Sequence, residues 1–146
     1  MATDISPELR RRVAERAYHV CEYCLVHEDD LLLACEMDHV ISVKHGGETS
    51  FENLANACFH CNRHKGSDVG SIVSAAGVLV RFFNPRSDHW NEHFYFNAGR
   101  IESSSTIGEA TVRILDFNHP DRVLLRKLLA NAGRYPTIEA LARMKE

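Results

Sequence analysis

Apolar residues recur at a helical interval near the start of the chain. Leu9, Val13, Ala14 and Ala17 form one stripe among charged neighbours, which predicts a helix from Pro7 to about Tyr18. Ser6 stands at the cap position and Pro7 at the first helical position, where its missing N–H costs nothing. The period then changes. Leu31 to Ile41 reads as a strand, Gly46-Gly47 opens a polar loop through Glu52, and Leu54 to Ala57 reads as a short return strand. A short helix is expected from Cys58 to Lys65-Gly66. Further on, Val78 to Phe83 reads as a strand, and Phe94–Phe96 with Arg100-Ile101 around a break at Asn97–Gly99 as a hairpin. Thr106-x-x-Glu109 is a capping-box pattern ahead of a helix to about Leu115. Pro120 opens a last amphipathic helix with Val123, Leu124, Leu128 and Leu129 on its apolar side and Gly133 at its stop. The fold class expected from this order is α+β.

Composition alters that picture little. The chain has 146 residues, 45% hydrophobic and 25% charged, which suits a modest globular core. No apolar run approaches the roughly 20 residues of a membrane span. The opening MATDISPELRRR lacks the apolar stretch of a secretory signal, so the chain is read as cytoplasmic with no membrane partner. A formal net charge of -3 is unlike the basic balance of many nucleic-acid binders. Phosphate binding depends on local clusters, however, and Arg10-Arg11-Arg12 with Arg16 and Arg63-His64-Lys65 supply two, the first also readable as a solvated helix face.

Five cysteines change the picture more. Four form two Cys-x-x-Cys pairs, Cys21/Cys24 and Cys58/Cys61, and Cys35 sits in the apolar run LLLAC as a small hydrophobe. In a reducing compartment paired Cys-x-x-Cys units are metal ligands rather than disulfides. Four thiolates complete a tetrahedron and leave no open position, so a Zn2+ held there is structural.

Between the knuckles lie Asp38-His39-Val40-Ile41, Gly46-Gly47 and Asn53-Leu54, and Asn62 directly follows Cys61. This order, from Cys21 to Gly66, resembles the HNH endonuclease family. The resemblance implies a ββα-metal core stapled by a four-cysteine zinc site, with an α+β extension behind it: residues 1–67 as the nuclease core and 68–146 as a hairpin plus two helices, able to pack as one domain. It implies hydrolysis of DNA phosphodiester bonds, with His39 as general base. Asp38 and Asn62 would hold one catalytic Mg2+ or Mn2+, Asn53 would shape the loop or orient His39, and Arg63 and Lys65 would contact phosphate. Many family members carry a second histidine where Asn62 stands, and an amide oxygen suits Mg2+ or Mn2+ better than softer ions. His64 projects away from Asn62 on a helix, and His60 is expected to face solvent beside the zinc. The implied partner is duplex DNA, with a homodimer or protein partner supplying the affinity that an acidic chain lacks. The alternative is a non-catalytic zinc-stapled nucleic-acid-binding or scaffold module.

His89-Trp90-Asn91-Glu92-His93 matches the inverted zinc-protease motif in form only. That motif needs a long helix, and Asn84-Pro85 before it with Phe94-Tyr95-Phe96 after it leave no room for one. Trp90, Phe94 and Phe96 are expected to pack on the core or to form an aromatic surface.

Overall fold

The computed structural model describes residues 4–73 and 77–146. Residues 1–3, part of the opening segment read above, and residues 74–76 lie outside that description.

Helix α1 spans Pro7–Arg16, and the Ser6 side chain accepts from the Leu9 amide as expected. Its basic cluster is largely spent within the protein. Arg11 pairs with Glu15, while Arg16 donates to the Phe51 and Leu54 carbonyls at 2.6 Å and stacks on the Phe51 ring. This clamps α1 to the start of the return strand.

Strand β1, Glu36–His39, pairs antiparallel with β2, Leu54–Ala57, setting Asp38 opposite Ala55 and His39 opposite Leu54. Helix α2, Phe59–Lys65, follows one residue later, giving a ββα unit. β1 is shorter than the apolar run suggested. Glu28–Asp30 forms a 3-10 turn, and Leu32 and Leu33 are exposed, because β2 offers only four residues to pair with.

Beyond α2 the described residues hold two antiparallel strand pairs and three helices, one strand pair and one helix more than expected. Strand β3, Gly70–Val73, pairs with β4, Val78–Arg81, and β5, Phe94–Asn97, pairs with β6, Arg100–Ser103. Helices α3, α4 and α5 span Thr106–Ile114, Pro120–Asn131 and Ile138–Met144. The cap of α3 is Ser105, whose hydroxyl accepts from the Gly108 amide, one residue before the Thr106 read as the cap. The stripe on α4 also needs correction. Leu124 and Leu128 are 56% and 58% exposed, whereas Arg126 is buried, donating to the Gly99 and Phe117 carbonyls.

One cluster of buried residues runs from Val20 to Ala140 and holds Phe83, Trp90, Phe94 and Phe117. The second half closes over the first knuckle through specific bonds. Trp90 Nε1 donates to the Tyr23 carbonyl at 2.9 Å, and the Tyr135 hydroxyl to the Cys24 carbonyl at 2.8 Å. The buried Glu22 carboxylate receives Arg86, Arg143 and the Asn56 amide. Burial pushes its carboxyl up from the ordinary value, against the pull of Arg143. Trp90–Glu92 is a 3-10 turn, and His89 and His93 bond separately to Glu146 and Ser105, so these histidines form no protease-like pair. No helix among the described residues is long and apolar enough to cross a membrane.

Candidate metal and hydrolytic centre

The two knuckles converge. Cys21, Cys24, Cys58 and Cys61 are all buried, and their sulfurs lie within 4.8 Å of one another. Cys24 Sγ and Cys58 Sγ are 3.8 Å apart. A tetrahedron with Zn–S bonds near 2.3 Å has edges of about 3.8 Å, the separation of Cys24 Sγ and Cys58 Sγ, so the donor set could hold such an ion. The knuckle turns are made by amides pointing at sulfur, from Cys24 N to Cys21 Sγ and from Cys61 N to Cys58 Sγ. Arg122 of α4 places Nη2 3.6 Å from Cys58 Sγ and 3.9 Å from Cys24 Sγ. A guanidinium there offsets part of the negative charge of a tetrathiolate. Cys35 stands outside the cluster, half-buried and packed against the core, and burial raises its thiol well above the ordinary range.

His39 ends β1, half-exposed, with Nε2 2.9 Å from Thr49 Oγ1. Thr49 is brought there by the loop between the strands. Gly46 at φ +87 turns that loop, and a Cβ on Gly47 would overlap the Ile41 carbonyl oxygen, so only glycine permits the approach. Asn53 pins the same loop. Its Oδ1 accepts from the Ile41 amide at 3.0 Å, and its Nδ2 donates to the Ile41 and Glu48 carbonyls at 2.9 and 2.8 Å. Asn53 therefore reaches His39 only through the loop that carries Thr49. Asn53→Ala should lower stability by about 1–3 kcal/mol, since one amide donor and two carbonyls lose partners at once. A shift of the urea midpoint measures this, and an unchanged midpoint would mean the loop holds its shape unaided.

Asp38 points to the other side of β1. It is 3% exposed, with Oδ2 accepting from the Tyr23 hydroxyl at 2.5 Å and Oδ1 from Lys65 Nζ at 3.1 Å. Burial pushes the Asp38 carboxyl up from its ordinary value, with Lys65 and Tyr23 pulling the other way. Lys65 is 1% exposed and also donates to the His39 carbonyl at 3.0 Å. Of the two residues expected to contact phosphate, Lys65 has its ammonium on the buried Asp38, whereas Arg63 is exposed. Asn62 donates through Nδ2 to Glu36 Oε1 at 2.8 Å. The structure does not join Asp38 and Asn62 by a bond, and the cation that meets Asp38 is Lys65. As arranged, with Asp38 tied to Lys65 and Tyr23, the pair is not free to take a divalent ion.

Lys65→Met should strand Asp38 in the interior and cost about 3–5 kcal/mol, with Asp38→Asn added to it recovering much of the loss. Denaturant unfolding of the single and double variants checks this. Equal stability of the wild type and the single variant would show the pair to be worth nothing.

Sequence reasoning missed several partners. Tyr23 and Arg122 come from distant segments and carry no local signal. Lys65 did carry one, because residues three apart share a helix face, and Asn62 was already assigned to the face toward β1. His60 is not turned to solvent: it is half-buried, with Nε2 2.8 Å from the Asp116 carbonyl. His64 lies on that side of α2, away from Asn62 as expected. His45 is exposed before Gly46.

Residues 21–68 match the family model described as HNH endonuclease. The resemblance carried by Cys21 to Gly66 therefore holds, and the matched stretch is of a nuclease-type family. Among curated proteins the chain is 23% identical over 142 residues to the Septu protein PtuB of Bacillus thuringiensis, an alignment covering 96% of this chain and 52% of that protein. The chain thus spans about half the length of the curated relative it matches. No solved structure matches the chain at a significant level.

Proposed function

We propose that the chain is an endonuclease that hydrolyses DNA phosphodiester bonds, with His39 as general base in a core held by a structural Zn2+ on Cys21, Cys24, Cys58 and Cys61. The observation that carries this reading is the pairing of a half-exposed His39 with Thr49 at the end of β1, inside a segment matched to a nuclease-type family. If Nε2–H donates to Thr49 Oγ1, the lone pair lies on Nδ1, and that nitrogen takes the proton of the attacking water. Arg63, exposed on α2, is proposed to meet the phosphate backbone.

Mg2+ or Mn2+ is proposed as the activating ion on the chemistry of the reaction: a bound divalent ion neutralises developing charge and aids the leaving oxygen. Asp38 and Asn62 are its proposed oxygen donors, and Asp38 would have to part from the Lys65 ammonium to serve. That tie favours a second reading, a non-catalytic zinc-stapled nucleic-acid-binding or scaffold module, which has no use for an oriented His39. The acidic total charge supports the proposal that a second copy or a protein partner adds affinity for duplex DNA.

Incubation of supercoiled plasmid with folded, zinc-loaded protein separates the two. Nicked or linear product with Mg2+ or Mn2+ and none with excess chelator supports the nuclease. Intact plasmid throughout leaves the binding module.

A further inference from the structure

We propose that His60, His64 and Asp116 form a second metal site, for a first-row transition ion such as Zn2+, Ni2+ or Co2+, on the side of α2 turned away from Asn62. One donor atom from each of the three side chains lies within 4.8 Å of the others. His60 and His64 are four residues apart on α2, which puts both rings on one face, with centroids 4.2 Å apart. Asp116 lies just past the C-cap of α3 and faces them, its Oδ2 3.8 Å from His64 Nε2.

The hydrogen bonds around the rings set which nitrogens are left for a metal. His64 Nδ1 is 2.8 Å from the His60 carbonyl, and His60 Nε2 is 2.8 Å from the Asp116 carbonyl. A carbonyl only accepts, so both of those nitrogens donate. The lone pairs then sit on His64 Nε2 and His60 Nδ1. A metal-bound histidine almost always spends its other N–H on a carbonyl or carboxylate in this way, which fixes the tautomer and the ring. Two imidazoles with one carboxylate select borderline transition ions over Mg2+. Three protein donors leave a coordination position open. His60 and His64 also line a cavity of about 500 Å³ with Arg63, His119 and Arg122, so the two rings border open space.

The site stands apart from the nuclease reading, since none of its residues belongs to the four-cysteine cluster or bonds to His39. Protein carrying its tightly held ion is titrated with Ni2+ by calorimetry. One further Ni2+ per chain is expected, bound about tenfold or more weakly in His64→Ala and in Asp116→Asn, and unchanged in the exposed control His89→Ala. Co2+ should give visible d–d absorption that the first two variants lose, and Mg2+ should bind far more weakly. The His64 and Asp116 side chains are 39% and 42% exposed, so both variants keep the fold, as unchanged Trp90 emission would report. Absence of a further Ni2+ ion, or its retention at full affinity in both variants, overturns the proposal.

Discussion

His39→Ala should lower the rate of Mg2+- or Mn2+-dependent plasmid nicking by about 10²–10⁴-fold, the usual worth of a positioned general base. The variant should stay folded. His39 is half-buried, its ring bonds among the described residues only to the Thr49 hydroxyl, and its backbone carbonyl still accepts from Lys65. Thr49→Val should keep the imidazole but free its rotation, giving a smaller loss of rate. The order wild type, then Thr49→Val, then His39→Ala is the expected result. Equal activity of wild type and His39→Ala, with matching preparations, would remove His39 as the base. Equal inertness of both on DNA, with binding intact, would leave the non-catalytic module.

The core of this site was legible because its signals are local. A strand ending near His39, a return strand at Leu54 to Ala57 and a short helix after Cys58 were each readable from local pattern, the resemblance to the HNH family implied that they form a ββα unit, and the structure has β1, β2 and α2 in those places. The environment of Asp38 was not legible. Tyr23 lies in the first knuckle and Lys65 at the end of α2, and only tertiary packing brings both to one carboxylate. Amphipathic periodicity misled on α4 for a related reason. The Gly99 and Phe117 carbonyls need a donor in the interior, and burying Arg126 to supply it turns Leu124 and Leu128 outward. Helix α5 escaped notice because it is only seven residues long and packs Ala140 and Met144 on the core while Ile138 and Leu141 are exposed, too short a pattern to read as a stripe. Its cap, Thr137 accepting from the Ala140 amide, was a local signal, with Glu139 in the first turn and Arg143 in the last.

Removing the ion proposed for the four-cysteine cluster should unfold the chain. Structural zinc contributes roughly 10–16 kcal/mol in small domains, against net stabilities of about 5–15 kcal/mol. The consequence should be global, because the first knuckle is where the two halves meet: Trp90 bonds to the Tyr23 carbonyl, Tyr135 to that of Cys24, and Arg122 faces the sulfurs. Trp90 is the sole tryptophan of the chain and is buried, so its emission reports on that junction. A strong chelator, or Cys58→Ser, should shift the emission to the red and abolish cooperative melting, and Zn2+ should restore both in the wild type. Cys35→Ser should leave both nearly unchanged, since Cys35 stands outside the cluster. Weak chelation, enough to clear an exposed histidine site, should not move the Trp90 signal at all. A cooperative thermal transition in fully metal-free protein would show instead that the buried cluster from Val20 to Ala140 suffices to hold the fold, and that the cysteines add an ion to a structure already formed.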